Sequence, residues 1–176
     1  MTDVLVAVDL QNDFIDGSLG SQDAQRIVEK AKERIQAFQG IVLFTRDTHS
    51  EDYLDTEEGK NLPVKHCIEG TKGWEIREEL DRLRTTEPID KPTFGSVELG
   101  RRLKEIDEKE GVRNVVLLGL CTDICVISNA LLAKAFLPNA HIAVDSEASA
   151  GVTRESHSNA LKAMEMCHIE ILGNNR

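Results

Sequence analysis

Asn114–Phe136, NVVLLGLCTDICVISNALLAKAF, decides the fold. Asn114–Leu118 is β-branched and apolar without polar alternation, which suits a strand covered on both faces, as in a parallel sheet. Gly119 interrupts the run, and from Thr122 the spacing turns helical, with Thr122 placed to cap the helix N-terminus. A strand that passes through a tight turn into a helix is one half of a βαβ unit. The same alternation extends outward in both directions. Strands are predicted at Val4–Val8, Ile41–Thr45, Thr86–Ile89, Asn114–Leu118, His141–Val144 and His168–Leu172. Helices are predicted between them at Ala24–Phe38, Trp74–Leu83, Val97–Glu110, Thr122–Phe136 and Arg154–Met166. The expected fold is α/β: one three-layer α/β/α Rossmann-like domain spanning residues 1–176, with a six-stranded parallel sheet.

Composition agrees with a single domain. The chain has 176 residues, of which 40% are apolar and 30% charged, with no low-complexity block and no internal repeat. Its 31 acidic and 21 basic side chains give a formal charge of −10, which repels phosphate backbones and anionic lipid, so neither nucleic acid nor membrane is an expected partner. The apolar runs are strand-sized, far short of the roughly 20 residues of a spanning helix. No basic or apolar leader precedes the first strand, so a soluble, cytoplasmic protein is expected. The four cysteines, Cys67, Cys121, Cys125 and Cys167, are too scattered for a disulfide scaffold and are read as reduced thiols.

In an open parallel sheet, ligands bind at the carboxyl ends of the strands, where strand order reverses. The suggestive polar groups fall there together: Asp9 after the first strand, Asp47 and His49 after the second, Lys91 after the third, and Cys125 after the fourth. Randomly placed groups would divide between the two ends of their elements. Capping by Thr122 would set Cys125 in a first helical turn, where the dipole favours a thiolate and free amides can hold an oxyanion. A lone cysteine here is more often a small buried hydrophobe, a lone strand-end aspartate a turn former, and a lone lysine a solvated cation. Together the three supply a nucleophile, a proton carrier and a cation that holds their anionic forms.

Between Asp47 and Gly73 the chain runs for about 26 residues with no sustained period, and loops of that length usually carry function or are disordered. Asp47 and His49 are two apart on an extended segment and can point the same way, with Glu58 and His66 as further donors. This mixed oxygen and nitrogen set suits zinc, iron or manganese. Cys67 alternates with His66 and should point away.

The segments VAVDLQNDFIDG around Asp9, FTRDTH around Asp47 and His49, LPVKHCIEGTKG around His66, DKPTFGS around Lys91 and GLCTDICV around Cys125 occur in the same order in the isochorismatase-like cysteine hydrolases. Within that superfamily the chain resembles the nicotinamidase/pyrazinamidase group over most of its length. The resemblance implies Cys125 as nucleophile, Asp9 as general base and acid, and Lys91 as their charged neighbour. It also implies an oxyanion hole from the amides of Cys121 and Cys125, with a cis peptide before Cys121. The implied metal ligands are Asp47, His49 and His66, with Glu58 as a less constant one, around a divalent ion, zinc first and iron or manganese next. That metal binds the pyridine nitrogen of a small amide substrate, and the expected assembly is a dimer or tetramer. Phe14 and Trp74 are candidates for packing on a flat ring. Two departures stand out: the stretch after Lys91 is short, and position 121 is a cysteine in place of a small aliphatic residue.

The expected activity is hydrolysis of nicotinamide to nicotinate and ammonia through a thioester on Cys125. The alternative within the family is another small amide or an N-carbamoyl or ureido compound, whose hydrolases generally lack the aspartate and two histidines. From other classes, a Cys121–Cys125 redox pair is disfavoured because its spacing is not CxxC, and a silent scaffold is disfavoured by the complete Cys-Asp-Lys set.

Overall fold

The computed structural model describes residues 1–173. The elements run β1 (Thr2–Val8), α1 (Asn12–Ile15), α2 (Gln22–Ala37), β2 (Ile41–Asp47), α3 (Glu57–Asn61), α4 (Glu78–Asp81), β3 (Ile89–Lys91), α5 (Val97–Glu110), β4 (Val112–Leu120), α6 (Ile127–Phe136), β5 (His141–Ala150), α7 (Arg154–Met166) and β6 (Glu170–Leu172). All six strands are parallel, in the order β3-β2-β1-β4-β5-β6. The order reverses between β1 and β4, so the crevice predicted for a ligand opens above these two central strands.

Alternate side chains of the central strands feed two cores, which makes the fold three-layered. Val4, Val6, Val8, Val115 and Leu117 pack against Leu99, Leu103 and Ile106 of α5, Ala130 and Ala133 of α6, and Leu161 and Met164 of α7. Leu5, Ala7, Phe44 and Leu118 face the other way, onto Ile27, Val28, Ala31 and Ile35 of α2 and Phe14 of α1. Sequence-local caps start the helices: Ser21 accepts from the Ala24 amide, Ser96 from Leu99, and Thr153 with Ser156 forms a capping box. At the reversal point Gly119 has φ +125°, and a Cβ there would lie 2.1 Å from the Val8 carbonyl oxygen. Only glycine lets β4 approach the end of β1 so closely. No helix among the described residues is long and apolar enough to cross a membrane.

Four predicted elements are corrected. The third strand is Ile89–Lys91 rather than Thr86–Ile89, because Pro88 has no N–H for the ladder. This shift pairs Lys91 with Asp47. The helix predicted over Trp74–Leu83 is only Glu78–Asp81. Its first part turns at Trp74 and Glu75 and then pairs with the segment after Asp9, with Ile76 bridged to Gln11 and the Asn12 amide bonded to the Glu75 carbonyl. The Asp47–Gly73 loop holds a 3₁₀ turn, Tyr53–Asp55, and α3, both too short to show a period. The helix predicted from Thr122 begins as a π-turn, Thr122–Val126, and becomes regular only at Ile127. Thr122 does not cap it; its hydroxyl is 2.8 Å from Nδ1 of His157. His157 is therefore half-buried, whereas His141 and His168 are exposed.

Candidate active site

Asp9 leaves β1 with φ +48°, which turns its carboxylate over the sheet edge. Its amide is held by the Thr45 carbonyl at 3.2 Å, and its Oδ1 accepts from the Thr45 hydroxyl at 2.6 Å. Lys91 ends β3 and is 1% exposed. Its Nζ lies 2.7 Å from Asp9 Oδ2, 3.2 Å from Asp47 Oδ1 and 3.4 Å from Cys125 Sγ, and it donates to the Thr93 carbonyl at 3.0 Å. Asp9, Lys91 and Cys125, predicted from three separate segments, therefore meet at one point.

Burial pushes the Asp9 carboxyl above the usual carboxylate range, with the Lys91 ammonium pulling against it. Burial would lower Lys91, but the charges of Asp9, Cys125 and Asp47 raise it above an ordinary lysine, so it stays cationic. The Cys125 thiol is pushed well up, first by burial and then by Asp9. Two carboxylates and a dry setting oppose the pull of the turn's amides, so the Cys125 thiol needs a base, the part the resemblance gives to Asp9. Cys121 is pushed up to about 12 by burial. The Leu120–Cys121 peptide is cis, as the resemblance implied.

A second cluster adjoins the first through Asp47. Donor atoms of Asp47, His49, Glu58 and His66 all lie within 4.8 Å of one another. His49 Nε2 is 3.0 Å from Asp47 Oδ2 and 3.5 Å from Glu58 Oε1, and His66 Nε2 is 3.6 Å from each of these oxygens. Nδ1 of His66 is 2.8 Å from the Val64 carbonyl, a contact that orients the ring with Nε2 inward. Burial alone would raise the Asp47 carboxyl, but hydrogen bonds from His49 and His66 and the Lys91 charge hold it well below the usual range. An ionised carboxylate, a second carboxyl group and two ring nitrogens converging on one point fit a divalent cation. Cys67 turns away into the core beneath α2, as expected.

A cavity of about 810 Å³ joins the two clusters and is lined by Asp47, Glu58, His66, Cys121 and Cys125, with Phe14 among its apolar walls. Trp74 is not among the lining residues. Its ring lies under the Arg46 guanidinium, 3.5 Å from the centroid, and its Nε1 donates to Thr48. Asp145 accepts from the amides of Glu147 and Ala148 and from Arg34, which steadies an irregularity in β5 outside the cavity.

Several supporting residues were not singled out from sequence. Gln11, fully buried, accepts from the Asp47 amide at 2.7 Å and donates to its carbonyl at 2.8 Å, so one side chain clamps the backbone of the shared carboxylate. Tyr53 packs on both His49 and His66, with ring centroids 4.7 and 4.9 Å away. Asp13 accepts from the Cys67 amide beside His66. On the nucleophile's side, the Asp123 carboxylate accepts from the Val152 amide, and with Thr122 and His157 it ties the π-turn to the start of α7. Gln11 and Asp13 lie in the same quoted segment as Asp9, and that adjacency was the available signal.

Known proteins resemble this chain over nearly its whole length. The isochorismatase domain model matches residues 3–174. The chain is 28% identical to a nicotinamidase of Schizosaccharomyces pombe, over 96% of this chain and 91% of that protein. Among solved structures, a pyrazinamidase of Pyrococcus horikoshii in complex with zinc superposes with a TM-score of 0.79 at 26% identity, covering 99% of this chain and all of that one. The nicotinamidase/pyrazinamidase PncA of Bacillus subtilis superposes with a TM-score of 0.83 at 26% identity, covering 98% and 100%. With the strand order, the cis peptide and the convergent Asp9, Lys91 and Cys125 all in place across nearly its full length, the chain belongs to the isochorismatase family.

Proposed function

We propose that the protein is a metal-assisted cysteine amidohydrolase whose substrate is nicotinamide, released as nicotinate and ammonia. The observation that carries this reading is Asp47, which contacts the Lys91 ammonium at 3.2 Å on one side and two histidines on the other. One carboxylate thereby couples a nucleophilic centre to a metal-binding centre in a single cavity.

Asp9 takes the thiol proton of Cys125 as Sγ attacks the carboxamide carbon. Lys91 stays charged and stabilises both the carboxylate and the developing thiolate. The backbone amides of Cys121 and Cys125 receive the oxyanion. Asp9 returns the proton to the departing ammonia, leaving a thioester; it then accepts a proton from the water that releases the acid, and Cys125 regains its thiol. Phe14 offers an apolar face to the ring. Asp47, His49, Glu58 and His66 would hold the divalent ion, with zinc favoured by the donor set and by the zinc-bound relative, and the ion supplies a Lewis-acidic anchor for the pyridine nitrogen.

Ammonia release from nicotinamide, pyrazinamide and a set of N-carbamoyl and ureido compounds, with and without chelator, tests this reading. Nicotinamide and pyrazinamide should be turned over, with activity lost on chelation and restored by zinc. A metal-free protein active on the carbamoyl compounds instead would overturn it.

A further inference from the structure

The side chain of Asn129 is fully buried on α6, one helical turn after Cys125. It packs beside Ala130 and Ala133, where an apolar residue would complete the core without a polar group to satisfy. Its amide is nonetheless fully used. Nδ2 donates to the Cys125 carbonyl at 2.8 Å and to the Phe94 carbonyl at 3.1 Å, and Oδ1 accepts from the Ser96 amide at 2.9 Å. Two acceptors on one side and a donor on the other fix the orientation of the amide.

The groups it joins lie on different parts of the proposed catalytic apparatus. The Cys125 carbonyl belongs to the π-turn that presents the nucleophile. Phe94 and Ser96 belong to the short, largely exposed loop after Lys91, whose Thr93 carbonyl accepts from the Lys91 ammonium. Phe94, 45% exposed, is a wall of the cavity, and Ser96 caps α5. Lys91 also bonds both segments, through the Thr93 carbonyl and Cys125 Sγ, but Asn129 bonds the backbone of the turn itself.

We propose that Asn129 is a positioning residue that ties the Cys125 turn to the loop after Lys91 and thereby sets both the aim of the nucleophile and the place of the Phe94 wall. The inference rests on the amidohydrolase reading. It assigns two separable effects: the bond to the Cys125 carbonyl acts on the chemical step, and the bonds to Phe94 and Ser96 act on substrate binding.

The test is a pair of variants, Asn129→Thr and Asn129→Val, which differ by a hydroxyl against a methyl. A threonine hydroxyl donates to the carbonyl four residues back but is too short to span to Phe94 and Ser96. With nicotinamide, both variants should raise KM by about tenfold. The threonine variant should keep kcat within about threefold of the parent, and the valine variant should lose about tenfold in kcat, the size of one ordinary hydrogen bond. Rates are taken per intact site, by zinc content and by titration of Cys125 with iodoacetamide. Equal kcat values for the two variants, or an unchanged KM in both, overturns the proposal. If the valine variant does not fold, Asn129→Ser against Asn129→Ala gives the same contrast. If the parent protein releases no ammonia from nicotinamide, the amidohydrolase reading fails on its own. The contrast is then read from the iodoacetamide rate at Cys125, slower in the variant without a hydroxyl if Asn129 positions the turn and equal in both if it does not.

Discussion

Replacing Lys91 with methionine keeps an unbranched apolar stem, one atom shorter, and removes the charged, donating end. The ammonium stands 2.7 Å from Asp9 Oδ2 and 3.4 Å from Cys125 Sγ. At an effective dielectric of about 20, unit charges at such distances attract by about 5–6 kcal/mol. Applied to the thiolate that forms as Cys125 attacks, a loss of that size is a fall in kcat/KM of at least ~10³-fold. Burial already raises the Asp9 carboxyl, and without Lys91 it rises further, which favours its neutral form and weakens it as a base. Protonation relieves part of the buried repulsion, which holds the stability loss near the lower end of the roughly 3–5 kcal/mol typical of a broken buried pair, or about 6–12 °C in Tm. The pH dependence has a definite sign. In the variant the folded pKa of Asp9 lies above its unfolded value of about 3.9, so its share of stability is complete below that value and is lost as pH rises toward the folded pKa. The variant should therefore come closest to the parent in Tm at about pH 5 and fall furthest behind at about pH 8. Ammonia release, iodoacetamide alkylation of Cys125 and thermal melts at the two pH values read these effects. A folded Lys91→Met protein within tenfold of the parent kcat/KM would refute the role given to the cation.

Cys125→Ala should abolish turnover with Tm nearly unchanged, while Cys121→Ala should keep most activity, since the Cys121 thiol is pushed up to about 12 and stays protonated; the reverse pattern in an ammonia assay would exchange their roles. Gln11→Leu leaves the Asp47 amide and carbonyl without their buried partners and should weaken zinc binding by about 10–100-fold in chelator competition, and unchanged affinity would show that the clamp is dispensable. Burial pushes His157 below its ordinary value, so the unfolded chain takes up that proton first and stability is lost as pH falls below about 6.5. His157→Gln should remove this share of the acid sensitivity, and an identical drop in Tm between about pH 7.5 and 5.5 in variant and parent would contradict it.

The strands that carry the site were legible because a doubly covered strand needs a continuous apolar run, and Val4–Val8 and Val115–Leu118 have one. The end of each run then fixed where Asp9, Asp47 and Cys125 must emerge. The departures occur where tertiary partners outweigh local preference. Thr122 is a good capping residue, yet His157, distant in sequence, takes its hydroxyl. Residues 74–77 have helical spacing, but pairing of Glu75 and Ile76 with the segment after Asp9 keeps them out of a helix. Trp74 looked like a ring contact by type alone, and Arg46 and Thr48 instead fix it outside the cavity. The size of the opposition to a Cys125 thiolate was not legible for the same reason: the turn supplies a dipole, whereas Asp9 and Asp47 arrive from other strands. Gln11, Tyr53 and Asn129 act through hydrogen bonds and stacking across long sequence separations, for which no local pattern exists.

The most direct test is to quench the enzyme with acid during turnover of carbonyl-labelled nicotinamide and map the label by peptide mass spectrometry. A nicotinoyl thioester confined to the Cys125 peptide, formed as fast as ammonia appears and absent from Cys125→Ala, is the expected result. Steady turnover with no acylated peptide, together with an active Cys125→Ala protein, would contradict the mechanism.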